Sequence, residues 1–253
     1  MTDVTDLVLT EQRGRVLLIT INRPEARNAL NAAVVTALRA AFDRLDEDGG
    51  LTVGVLTGAG PGFSAGMDLK EFARGGEGST LGELLRLGMR KPVVAAVEGF
   101  ALAGGLELAL TCDLLVASEG AKLGIPEVNV GLFAAGGALF RLLSRVGYSV
   151  TMELALTGEP ITAEAGAALG LVSRVTEKGK ALDGALELAQ RIAKNAPLGV
   201  TASKDVLKAA QGLIEDELWP VQKALGHDVF KSADAKEGPK AFIEKRPPNW
   251  SGA

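Results

Sequence analysis

The residues best suited to do chemistry are two glutamates beside glycine turns. The first, Glu107, lies in Gly99–Asp113, Gly-Phe-Ala-Leu-Ala-Gly-Gly-Leu-Glu-Leu-Ala-Leu-Thr-Cys-Asp. The valine-rich run before it, Pro92–Val97, reads as a buried strand. Small residues then turn the chain, and a helix is expected to begin near Gly104. A strand, a glycine turn and a helix start leave free backbone N–H groups beside a carboxylate. Such N–H groups stabilise an anionic oxygen, and the carboxylate moves a proton. That pairing suits chemistry next to a carbonyl group. The second acid, Glu127, directly follows Pro126. Pattern alone leaves a plainer reading open for both: Glu107 on the wet face of an amphipathic helix, and Glu127 as a solvated loop acid.

Other chemistries have less to stand on. His227 is the sole histidine, in a polar stretch far from any glycine turn, so a Ser-His-Asp triad has one weak candidate partner. Cys112 is the sole cysteine; it reads as core, excludes a disulfide within the chain and fits a cytoplasmic location. A metal would need clustered carboxylates, and none cluster. The glycines of Gly99–Gly105 are not spaced as a dinucleotide fingerprint, and no phosphate-binding P-loop occurs. The net charge of -4, with acids and bases interspersed, argues against nucleic acid as a partner. Val93–Ala117 is the best membrane candidate but contains Glu98, Glu107 and Asp113. Each acid at a span's centre costs roughly 2.5–3.5 kcal/mol, so the stretch reads as buried core.

The elements that would position these acids follow in order. Arg15–Ile21 reads as a strand ended by Pro24. Leu30, Val34, Leu38, Phe42 and Leu45 form one helical stripe, capped by Asn28 or Asn31 and stopped at Asp48-Gly49-Gly50. Thr52–Leu56 is the next strand, so the crossover should be parallel and right-handed. Thr57–Leu69 holds four glycines: either a surface turn or a backbone that approaches something closely. Arg74–Thr80 reads as a mobile loop and Leu81–Met89 as a short helix. Asp113–Ala117 is a strand, Lys122–Pro126 is extended and Gly131–Gly137 is a loop. Helices are expected at Arg141–Val146, Val150–Leu156, Ala163–Leu169 and Leu182–Asn195, with a strand at Leu171–Val175. Beyond Pro197 the pattern is helical to about Phe242. Asp113 reads as a cap or tether. The recurrence of strand, turn and helix favours a layered α/β core with a helical tail.

Taken together, these residues resemble the crotonase (enoyl-CoA hydratase/isomerase) family, over nearly the whole chain. The match includes Asn22-Arg23-Pro24 with Asn28-Ala29-Leu30, Phe63–Leu69, Lys91–Val97, Gly99–Asp113, Gly124–Glu127, Leu156–Gly158, Gly170–Val172 and Phe242–Arg246. The resemblance implies a superhelix of repeated ββα units over residues 1–195. It also implies a C-terminal helical region, 196–253, that builds homotrimers or dimers of trimers. It implies an acyl-coenzyme A thioester as substrate, with no separate cofactor and no metal. By position, the thioester oxygen would be held by the N–H groups of Ala65 and Gly104. Ala65, Gly66, Met67 and Asp68 would line the coenzyme A path, with Asn28, Ala29 and Leu30 nearby and Phe242 and Lys245 reaching it from the tail. Glu107 would activate water and Glu127 would supply the proton to C2. Keeping both acids favours hydration of a trans-2-enoyl-CoA to a 3-hydroxyacyl-CoA. The alternatives are another acyl-CoA reaction of the family, such as double-bond isomerisation or thioester hydrolysis, or a non-catalytic acyl-CoA-binding protein. The sequence departs from the family's pattern at Glu98, at Ala103, where glycine is usual, in the short stretch Ala73–Met89, and at Phe133-Ala134-Ala135-Gly136-Gly137.

Overall fold

The structure, a computed structural model, describes residues 7–73, 79–195, 197–205, 207, 208, 227 and 230–248. Its frame is a six-stranded sheet. In spatial order it runs β1 (Val8–Arg13), β2 (Val16–Ile21), β3 (Val53–Gly58), β4 (Val93–Val97), β6 (Leu114–Ser118) and β9 (Arg174–Thr176). Only β1 is antiparallel to its neighbour. The inner parallel strands β2, β3, β4 and β6 are mainly apolar because both sheet faces are covered there. Val16, Leu18, Val53, Val55, Val94, Ala96 and Val116 pack on α8 (Ala181–Ala193) through Ala185, Leu186 and Ala189. The alternate residues, among them Leu17, Ile19, Leu56, Ala95 and Leu115, face α1 (Ala32–Glu47), α3 (Ser79–Leu87) and α4 (Gly104–Thr111).

A second, three-stranded sheet joins β5 (Phe100–Leu102), β7 (Lys122–Gly124) and β8 (Ile161–Thr162). Ser64 extends it by bridging Ala101. The chain therefore repeats one move: a strand in the large sheet, a strand in the small one, then a helix. That repetition is the ββα superhelix the sequence leads one to expect. The remaining helices are α2 (Leu69–Ala73), α5 (Ala138–Val146), α6 (Tyr148–Thr157), α7 (Ala163–Ala168) and α9 (Ala233–Glu244). The described residues between Pro197 and Phe242 are helical save Ser232. No helix among the described residues is long and apolar enough to cross a membrane.

Several expectations shift. Asn31, not Asn28, caps α1, its Oδ1 accepting from Val34 N at 3.0 Å; Asn28 sits just before it at φ 54°. The helix expected at Leu81 begins at Ser79, and the one expected at Arg141 begins at Ala138. The last strand starts at Arg174 rather than Leu171. The Gly99 turn is shorter than expected, because Phe100–Leu102 is itself a strand. Residues 74–78 of the expected mobile loop lie outside the described residues. Asp113 is the tether expected: its Oδ2 accepts from Val93 N at 2.8 Å and from the buried Lys204 Nζ at 2.7 Å. This contact fastens the helical residues 197–205 to the start of β4.

Candidate active site

Helix α4 is buried from Gly104 to Leu110, Glu107 included. The wet-face reading of Glu107 fails because α4 has no wet face over that stretch. Instead the carboxylate is seated at the start of α5. Its Oε1 accepts from Gly136 N at 2.7 Å and from Ala138 N at 3.2 Å, where the helix dipole favours a negative charge. A Cβ on Gly136 would run into Glu107 Oε2 and Leu85 Cδ1, so this approach requires glycine. Burial pushes the Glu107 carboxyl up; the N–H groups of Ala138 and Gly136 and the charge of Arg141 oppose it.

Glu127 stands in the short 3-10 turn Pro126–Val130. Its Oε2 is buried without a hydrogen-bond partner among the described residues. Burial and the neighbouring Glu107 charge push its carboxyl up to about 8, opposed only by its own backbone N–H. The two acids thus share one low-dielectric space on unequal terms. The fixed donors favour the charged form of Glu107, and a charge on Glu107 in turn favours the protonated form of Glu127.

The backbone of the glycine-rich segment runs alongside. The Ala65 N–H, assigned above to the thioester oxygen, donates instead to Arg27 O at 3.0 Å; that amide is already committed. The next outward-facing amide is that of Met67. Leu30 N donates to Gly66 O at 2.8 Å and Asp68 N to Leu30 O at 3.1 Å, so Leu30 and Met67 pair as a parallel bridge. In such a pair the N–H of the intervening residue points the other way, here toward α4. A Cβ on Gly104 would stand 3.4 Å from Met67 N, so the two amides are neighbours. Neither Met67 N–H nor Gly104 N–H has an acceptor among the described residues. Gly66, at φ 94°, makes the approach possible, since a Cβ there would come within 2.8 Å of Gly104 N. Met67 was expected along the coenzyme A path but not as an amide donor, because only the bridge to Leu30 fixes which amides point where.

Other expected ligands serve the frame. Asn28 is buried; its Oδ1 accepts from Arg23 N at 2.9 Å, and its Nδ2 donates to Ala59 O and Gly62 O at 2.8 Å. Leu30 points into the core. Ala29 is half-buried beside it, its carbonyl held by Arg23 Nη1 at 3.1 Å. Asp68 pairs with Arg23 Nη1 at 2.8 Å and caps α2. Burial opposes its ionisation, but Arg23 and the N–H groups of Glu71 and Lys70 hold it below the usual carboxylate range. Ser64 Oγ donates to Asn28 O at 2.8 Å and accepts from Gly66 N at 3.1 Å, leaving it structural. Phe242 and Lys245 are exposed at the end of α9, away from Glu107 in sequence but on the helix that packs against the Glu127 turn. Phe230 meets Phe72 of α2 edge-on and Phe133 of the 131–137 loop at a tilt, with centroids 6.3 and 5.9 Å apart. A cavity of about 350 Å³ between α1, α3 and residues 205 and 208 includes none of these groups.

The sequence model described as Enoyl-CoA hydratase/isomerase matches residues 11–253. The chain belongs to that family. It is 42% identical to enoyl-CoA hydratase EchA19 of Mycobacterium tuberculosis, over 96% of this chain and 95% of that protein. Among solved structures it is similar to carnitinyl-CoA hydratase from Mycobacterium avium, with TM-score 0.92 and 43% identity over 98% of this chain and 99% of that one. It is also similar to enoyl-CoA hydratase EchA1 from Mycobacterium marinum, with TM-score 0.80 and 52% identity over 98% and 100%. Within this crotonase fold, Ala103 marks a local departure. It caps α4 at φ 51°, a positive value that favours glycine.

Proposed function

We propose that this chain is an enoyl-CoA hydratase, a hydro-lyase that adds water across the C2–C3 double bond of a trans-2-enoyl-CoA to give a 3-hydroxyacyl-CoA. One observation carries the reading: buried Glu107 and half-buried Glu127 lie close enough for the charge of one to raise the carboxyl of the other, and Glu107 follows by one turn of α4 a pair of amides without acceptors. The Glu107 carboxylate accepts a proton from water as the water oxygen bonds to C3. The electron pair of the double bond moves toward the thioester, whose oxygen gains charge between the N–H groups of Met67 and Gly104. Gly104 adds the dipole of α4. Glu127, protonated, gives its proton to C2 and closes the addition. The paired amides matter most as that charge develops, each being worth about 3–4 kcal/mol of barrier in comparable sites. The addition as drawn uses no cofactor.

The coenzyme A moiety would run along the backbone of Ala65–Asp68 and past Ala29, with Phe242 and Lys245 reaching it from this or a neighbouring subunit. In this reading Asn28 and Leu30 shape that path from behind. Region 196–253 would serve assembly into homotrimers or pairs of trimers. The exposed apolar side chains of Tyr148 and Leu156 on α6 support such burial between copies. A cytoplasmic location fits the single buried thiol of Cys112, which burial pushes up to about 12. The test is hydration of crotonyl-CoA, followed by loss of its enoyl absorbance with identification of the 3-hydroxy product. Glu107→Gln and Glu127→Gln should each abolish most of the rate. Two unimpaired variants would end this assignment.

A further inference from the structure

We propose that Arg141 is a positioning residue: its guanidinium spans the carbonyls of Gly136 and Leu85 and so fixes the loop amides on which the Glu107 carboxylate is seated. This rests on the hydratase reading for its kinetic consequence, though not for its geometry. Arg141 is buried in the first turn of α5. Its Nη1 donates to Gly136 O at 3.0 Å and its Nη2 to Leu85 O at 2.8 Å. Gly136 is thereby held from both ends, its carbonyl by Arg141 and its N–H by Glu107. A guanidinium does this because its donors lie in a rigid plane. The fit is close: a Cβ on Gly137 would stand 2.7 Å from Arg141 Nη1. The Phe140 ring centroid lies 5.6 Å from the guanidinium carbon.

The charges around Glu107 are few. Helix α5 contributes Arg141, and Arg145 at the far end of α4, where Arg145 Nη2 donates to Leu110 O at 2.9 Å and Cys112 O at 3.0 Å. The Pro126–Val130 turn contributes Glu127. Helix α3 turns Glu83 and Arg86 outward and Leu85 inward. Arg141 is therefore the cation placed to favour a charged Glu107 beside a neutral Glu127, and it acts through the loop as well as through its charge.

Arg141→Met and Arg141→Lys test this with crotonyl-CoA. Loss of the seat should lower kcat about a hundredfold in Arg141→Met, as expected when a reacting group is misplaced by ~1 Å, with KM nearly unchanged. The acid limb of the pH profile of kcat/KM should move to higher pH, because Glu107 then ionises less readily; lysine, keeping the charge but not the fork, should recover part of both effects. In a Glu107→Gln background Arg141→Lys should cost nothing further. Should Arg141→Met fail to fold, the Arg141→Lys profile and this double variant decide. A superimposable acid limb in Arg141→Lys, or losses that multiply in the double variant, would overturn the proposal. Infrared titration of the carboxyl bands in Arg141→Lys and wild type reads the same shift without turnover. Absence of hydration by the wild type with a shifted titration would therefore reject the reaction and keep the seat.

Discussion

The sharpest test of the Glu107 seat is a single methyl group. In Gly136→Ala the new Cβ would stand 2.8 Å from Glu107 Cδ and closer still to Glu107 Oε2 and Leu85 Cδ1. Carbon atoms rest at about 3.5–4.0 Å, so the carboxyl group must retreat by about 1 Å. Retreat lengthens the 2.7 Å bond from Gly136 N and, if Glu107 is the base proposed above, draws it away from the water it would activate. A displacement of that size costs about a hundredfold in rate, or ~2.7 kcal/mol of barrier. The new Cβ meets Glu107 and Leu85 and not the Ala65–Asp68 backbone, so the loss should fall on kcat and leave KM nearly unchanged. The assay is crotonyl-CoA hydration at neutral pH, with Gly49→Ala as control, since a Cβ on Gly49 meets nothing within 4 Å. If Gly136→Ala retains a third or more of the wild-type kcat while folded, the seat described here is not the reacting geometry.

Replacing the Met67 amide by an ester removes one N–H and should lower kcat about 10²–10³-fold, whereas the same replacement at Ala65 should weaken folding through Arg27 and spare the chemistry; equal kinetic losses at both would refute the donor assignment. Because Glu127 must be protonated to deliver its proton, kcat/KM should fall on the alkaline side near its value of about 8, and Glu127→Gln should lose that limb in its residual activity. The same group makes the folded state bind a proton more tightly than the unfolded chain, whose value is near 4.5; melting temperature should therefore decline as pH rises through that window, and Glu127→Gln should flatten the decline. Ala103→Gly relieves a positive φ of 51° and should stabilise the protein by about 1 kcal/mol after the cost of a freer unfolded chain, read by thermal melting. Lys204→Met leaves Asp113 short of a charge partner and should cost about 3 kcal/mol, the low end for a broken buried pair, because the Asp113 side chain is 28% exposed; hydrogen exchange should show residues 197–205 loosened first.

The middle of the large sheet was legible because β2, β3, β4 and β6 are mainly apolar runs and α1 carries a clean stripe. Strand β1 was not, since five of its six residues are exposed and nothing in its pattern alternates. The second sheet was hidden for another reason: Phe100–Leu102 and Ile161–Thr162 are too short to carry a period. Both glutamates were found from their neighbours, but the burial of Glu107 was not, because one acid in an otherwise apolar helix leaves amphipathic and fully buried patterns alike. Arg141 offered one signal, a charged residue within the apolar stripe of α5 beside Leu142, but its partners Gly136 and Leu85 come from two other segments. The Met67 donor depended on register between segments distant in sequence, which spacing does not encode.

Helix α9 rests on the turn that carries Glu127, and Gly238 marks the point of closest approach: any side chain there would overlap the carbonyl of Val130. Helix α9 is thus a wedge set against the seat of Glu127. A nick or a bulky residue near the chain's end would let that turn relax, admit water around Glu127 and silence the protein without altering any reacting group.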